Sequence, residues 1–99
     1  MKYVVTWEVP ANFSQEMQDQ ALQVFGKWSP AEGSDFLQFL GRVDGRGGFA
    51  VVETEDPMSI TRDLAIFSAF FDMNAYPVVD AGEQIQIISE AADFLRSAG

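Results

Sequence analysis

Three side chains in this sequence could do acid–base work if the fold brought them onto one surface: Glu8, Arg42 and Glu53. A carboxylate moved into a low-dielectric cavity holds its proton to higher pH and can then serve as general acid or base. Tyr76 would add a phenol, with ring area for an apolar ligand and a hydrogen-bonding tip. Trp7 and Trp28 could stack a planar ligand or serve oxygen chemistry of the cofactor-independent kind. Each has a plainer counterpart. Glu8, Glu53 and Arg42 could be ion pairs that fix the register of a dimer or face solvent at strand ends. Tryptophan at such spacing is commonly core.

What the sequence lacks narrows the chemistry further. It contains no cysteine and no histidine, which removes a thiolate nucleophile, a disulfide framework, Cys or His metal ligands and the commonest general base. Catalysis would rest on carboxylates, hydroxyls, Lys, Arg or a borrowed cofactor, and no motif calls for one. The glycines 45, 47 and 48 resemble a phosphate cradle only superficially, since such loops open a helix and this one joins two strand-like segments. Asp44, Glu53, Glu55 and Asp56 lack the alternating spacing of a calcium loop, so no metal site is expected.

Fifteen acidic residues against six basic ones leave a net charge of −9. Such a chain repels a nucleic-acid backbone and an anionic membrane surface, and it disfavours an anionic ligand. A neutral or apolar ligand suits it better. At 99 residues and 47% hydrophobic, the chain reads as one folded domain, small enough to gain from a partner chain. Nine phenylalanines exceed what a modest core requires, and some should line an interface or cavity. The opening MKYVVTWEVP reads neither as a signal peptide nor as a membrane span. The expected location is cytoplasmic.

The elements that must position these groups follow from residue pattern. Residues 2–9, rich in Val, Tyr, Thr and Trp and stopped by Pro10, predict a strand. Asn12 is placed as an N-cap with Gln15 reaching back, and Phe13, Met17, Ala21, Val24, Phe25 and Trp28 recur at helical spacing. A second strand is expected over residues 35–43, a tight turn on Gly45 and Arg46, and a third strand over 49–54. Asp56 and Pro57 open a second helix running to about Ser68, burying Leu64 and Phe67. Residues 74–79 form a fourth strand, which Pro77 confines to an edge. A third helix is expected over 83–96, with Ile85, Ile88, Ala92 and Leu95 as its apolar stripe. The run Ile66–Phe71 should tuck the end of the second helix into the core.

The order β-α-β-β-α-β with an extra C-terminal helix is the ferredoxin-like α+β arrangement: a four-stranded antiparallel sheet with two helices on one face and the other face bare. With the turn on Gly45 and Arg46, Val43 lies opposite Gly48 and Arg42 opposite Phe49. Alternation then divides the residues. Leu37, Phe39, Gly41, Val43, Ala50, Val52 and Thr54 fall under the helices, as do Tyr3, Val5, Trp7 and Val9. Phe36, Gln38, Leu40, Arg42, Phe49, Val51 and Glu53 fall on the bare side, with Val4, Thr6, Glu8 and Tyr76.

MKYVVTW at the start, FLQFLGRVDGRGGFAVVETEDP in the middle and YPVVD near residue 80 together resemble the family catalogued as domain of unknown function 3303. The resemblance spans nearly the whole chain. It implies a place among dimeric α/β-barrel proteins, in which two ferredoxin-like sheets pair through their bare faces and enclose an interior. That superfamily includes cofactor-independent monooxygenases, muconolactone-isomerase-like enzymes and haem-binding members. The resemblance implies fold and homodimer and supplies no catalytic residue. The absence of histidine sets the chain apart from any His-dependent activity.

The functional expectation is a homodimeric binding module that takes a small hydrophobic or aromatic molecule against its bare sheet face. The expected lining is Thr6, Gln38, Leu40, Arg42, Phe49, Val51, Glu53 and Tyr76. Two alternatives stand beside it: a cofactor-independent monooxygenase or isomerase acting on a hydrophobic carbonyl or phenol, and a purely structural dimer whose interior is filled by side chains.

Overall fold

The β-branched and aromatic residues of the first segment do build a strand, and it runs through the middle of the sheet. The computed structural model describes every residue, Met1–Gly99. Its elements are β1 (Lys2–Glu8), α1 (Gln15–Lys27), β2 (Ser34–Gly41), β3 (Gly47–Thr54), α2 (Pro57–Phe67), β4 (Asp72–Val78) and α3 (Ala81–Ala98). The four strands form one antiparallel sheet in the order β2-β3-β1-β4. This is the ferredoxin-like layout the residue pattern predicts. Pro77 lies in β4, an edge strand paired only with β1, where a missing N–H leaves no central ladder broken.

Helix starts follow local hydrogen bonding more than residue preference alone. Asn12 does not cap α1. The Phe13 amide donates to the Pro10 carbonyl at 3.1 Å, which spends those residues on a turn, and Ser14 becomes the cap, its Oγ accepting from the Met17 amide at 3.1 Å. Gln15 then donates to Asp19 at 3.0 Å instead of reaching back. At α2 the expected pair holds: Asp56 accepts from the Met58 amide at 3.0 Å and Pro57 sits at the first helical position. Behind that cap Ser59 donates to the Asp56 carbonyl at 2.7 Å and accepts from Ser34 at 2.8 Å, with Thr54 Oγ1 at 3.0 Å. The buried hydroxyls are therefore all partnered.

The core lies between the sheet and α2, where Val5, Ala50, Val52 and Ile60 are buried with Tyr3, Trp7, Phe36, Leu64, Met73 and Ala75 around them. Leu64 and Phe67 are half-buried, and Ile60 takes the deeper position expected of them. Phe70 and Phe71 also come to rest half-buried, while Ile66 remains largely exposed.

Two features of the β2–β3 ladder correct the expected faces. The hairpin closes lower than anticipated: Gly41 faces Gly48, Leu40 faces Phe49, and the Arg42 amide donates to the Gly47 carbonyl at 2.9 Å. The chain reverses over Arg42–Gly45, with the Gly45 amide donating to the Arg42 carbonyl at 3.0 Å and Gly45 at φ 71°. Val43 is consequently in the turn and fully exposed, not under a helix. A slip of two residues preserves side-chain parity, so Gln38 and Leu40 keep their expected side. Leu37 is then an extra residue, a bulge between Phe36 and Gln38. Beyond it the parity flips. Phe36 pairs with Val52 and joins the core, while Leu37 stands exposed.

The last helix departs from the body. Asp80 caps it, accepting from the Glu83 amide at 3.0 Å, yet no residue of α3 is buried. The long axis of the molecule reaches 60 Å and the radius of gyration is 17.8 Å, against about 13 Å for a chain of this length.

Candidate functional site

Aromatic side chains from β1, β2 and both helices that flank the sheet turn toward one volume on the helix-covered side. From the sheet, Trp7 stacks on Phe39 with ring centroids 5.2 Å apart. From α1, Phe25 lies 5.9 Å from Phe39, and the C-capping Trp28 meets Phe36 nearly edge-on at 5.6 Å. From α2, Phe67 meets Trp28 edge-on at 5.2 Å, and Phe13 and Phe71 close one end, 5.5 Å apart. Small residues hold the space open: Ala21 on α1 and Ala50 on β3 stand in the wall where larger side chains would fill it. The result is an open-mouthed cavity of about 550 Å³, lined by 24 residues of which 18 are hydrophobic.

Two local arrangements set this wall. A Cβ on Gly48 would collide with the Trp7 ring and the Leu40 carbonyl, so a glycine there lets the indole lie against β3 and reach Phe39. Asp63, buried on α2, accepts from Trp28 Nε1 at 3.1 Å and from the Ala31 amide at 3.3 Å. That carboxylate ties the end of α1 to α2 and fixes the Trp28 ring. Gln18 and Arg46 supply the remaining polar side chains of the lining.

The opposite sheet face is open. Pairing arranges it in rows across the strands: Leu40, Phe49, Thr6 and Asn74 in one, Gln38, Val51, Val4 and Tyr76 in the next, Glu53, Lys2 and Val78 beyond. Of the residues expected there, Thr6, Arg42, Phe49 and Tyr76 line one cleft of about 300 Å³, with Glu8, Asp72 and Asn74. Gln38, Leu40, Val51 and Glu53 share the face but lie outside that cleft. Glu8 and Arg42 do meet, at 3.3 Å. Glu53 does not join them, because it sits six residues along β3 from Gly47, the partner of Glu8, a separation of about 20 Å. It accepts instead from the Met1 amino group at 2.7 Å.

Arg42 also binds Asp44 at 2.5 Å, and that hydrogen bond does most to hold the guanidinium charged; Glu8 contributes less. Asp44 in turn has its carboxyl held below the ordinary value of 3.8, first by the Arg46 amide at 3.0 Å and then by Arg42. These groups are exposed, so the triad orders the hairpin tip and adds little stability.

A family model described as domain of unknown function (DUF3303) matches residues 1–92. The chain belongs to the DUF3303 family. No curated protein and no solved structure matches it.

In this DUF3303 domain no group of three His, Cys, Asp or Glu side chains is placed to hold a metal ion, and no helix is long and apolar enough to cross a membrane. Sequence reasoning named Trp7 and Trp28 as rings that could stack a planar ligand, but it missed the rest of the aromatic cavity and its Asp63 brace. One signal pointed to the brace. Asp63 falls on the same helical face as Ile60, Leu64 and Phe67, and an acid within an apolar stripe needs a buried donor.

Proposed function

We propose that this DUF3303 domain is a binding module for a small hydrophobic or aromatic molecule, and that it works as a homodimer joined through its open sheet face. The aromatic cavity is the observation that carries the ligand reading. The cavity opens to water, with Phe25 and Phe39 on its wall about half exposed, so a ligand that covers this wall removes apolar surface from water at about 25 cal/mol per Å². Such a wall favours an apolar occupant. Rings that can stack on flat molecules, few polar groups and a net charge of −9 favour a neutral, flat, apolar one.

The eight residues expected from the sequence belong to the other half of the proposal. Thr6, Gln38, Leu40, Arg42, Phe49, Val51, Glu53 and Tyr76 would face the partner and any compartment formed with it. Native mass spectrometry of the purified protein, followed by denaturing extraction, tests both halves. A dimer that releases a small apolar compound supports the module. An empty dimer favours a structural assembly, and a monomer rejects the homodimer. Ala21→Phe should push a ring into the cavity and lower ligand occupancy at least tenfold, and because Ala21 is buried it should carry an overpacking cost of about 1–3 kcal/mol.

The convergence of Glu8, Arg42, Asp72, Asn74 and Tyr76 in the 300 Å³ cleft supports a second reading. There a cofactor-independent monooxygenase or isomerase would act on a hydrophobic carbonyl or phenol. On that reading Arg42→Ala and Tyr76→Phe each impair turnover in folded protein, whereas Glu53→Gln, remote from the cleft, does not. Indifference to both Arg42→Ala and Tyr76→Phe rejects it.

A further inference from the structure

Two apolar surfaces in this chain lack a cover. The first is α3. At 100° per residue, Ile85, Ile87, Ile88, Ala92, Phe94 and Leu95 fall within one half of its circumference, opposite Gln86, Glu90 and Asp93. The large ones are 59–69% exposed. Most helical stability in a protein comes from packing an amphipathic face, and no residue of α3 is buried. The second is the open sheet face, where Leu37, Leu40, Phe49 and Tyr76 are about half exposed.

We infer that α3 of one copy lies across the open sheet face of a second copy, and that the two copies exchange these helices about a two-fold axis. The inference rests on the homodimer reading and names the element that covers the face. Area supports it. A folded chain of 11.0 kDa should expose about 5,600 Å², whereas this one exposes 7125 Å². The excess of about 1,500 Å² per copy, hidden from both, is the size of an obligate homodimer interface. Shape agrees too: an 18-residue helix is about 27 Å long, and a sheet of seven- and eight-residue strands is about 23–26 Å along the strands.

Other covers fit less well. A single partner helix meets a narrow seam and would leave much of the broad α3 arc bare. A lipid surface favours Lys and Arg on the polar side of a bound helix, whereas α3 carries Glu83, Glu90 and Asp93 against Arg96 alone. Exchange satisfies both uncovered surfaces with one symmetry operation.

The chain has no cysteine, so single-cysteine variants report this contact without background. Ile88→Cys and Phe49→Cys alter exposed positions near the middle of the two surfaces, with Leu95→Cys as a second site on α3. Circular dichroism confirms folding, and sedimentation gives the native mass. Oxidising a mixture of Ile88→Cys and Phe49→Cys chains should yield a disulfide-linked heterodimer, with little linkage in either variant alone. Self-linkage of Ile88→Cys, or linkage within one chain of the double variant, overturns the exchange. Self-linkage of Phe49→Cys also overturns it, since sheet faces then meet directly, but leaves the homodimer standing. A monomer at every concentration with no linkage removes both.

Discussion

Gly48, Asp63 and Asp44 each do something that a neighbour in sequence could not. A methyl group at Gly48 enters the space of the Trp7 ring, so Gly48→Ala should displace the indole from Phe39 and cost roughly 1–3 kcal/mol in urea unfolding. Asp63→Ala strips the acceptor from both Trp28 Nε1 and the Ala31 amide; an unsatisfied buried donor costs about 1–3 kcal/mol, and the same measurement reads it. Asp44 gives a pH signature. Its carboxyl is depressed below 3.8, by the Arg46 amide first and Arg42 second. Its contribution is therefore present above pH 3.8 and lost as pH falls through the lower, folded value. An NMR titration should place the Asp44 midpoint below 3.8, with the Arg46 amide shift moving in step; a midpoint above 3.8 contradicts the hairpin geometry. The acid was visible in the sequence, but its partners depend on where the turn closes.

At the scale of elements, composition and periodicity carried most of the fold. Pro10, Asp56-Pro57 and Pro77 punctuate the chain, and the hydrophobic period changes from strand to helix where the structure changes. The bulge at Leu37 escaped this reading because FLQFL is compatible with simple alternation. A clue lay in Phe36 and Phe39. Both rings enter the cavity wall although three positions apart, which a strand permits only with an inserted residue. Substitution separates the two accounts. Leu37→Asp, on an exposed residue, should change stability by no more than about 0.5 kcal/mol. Phe36→Ala should cost roughly 2–3 kcal/mol, below the figure for a fully buried phenylalanine because Phe36 is half-buried. A sheet without the bulge predicts the reverse order. The cavity was illegible for a related reason: its volume is what remains between α1 and the sheet once residues distant in sequence have met, and no local period encodes that remainder.

For the whole molecule, few hydrophobic residues are fully buried and one helix stands clear of the body, so a stability shared between copies should depend on their concentration. The thermal midpoint should rise with protein concentration. Ile88→Glu with Leu95→Glu should abolish that dependence while leaving the sheet folded. Because each copy carries −9, raising salt should tighten association by screening the mutual repulsion; weakening with salt would argue against an apolar interface. Trp7 and Trp28, the only tryptophans in the chain, both stand in the wall of the aromatic cavity. Their emission comes wholly from that wall, so anything entering between them changes its colour and intensity. The protein thus carries an intrinsic optical reporter of its own occupancy, and a collection of candidate compounds can be screened by fluorescence without attaching a dye.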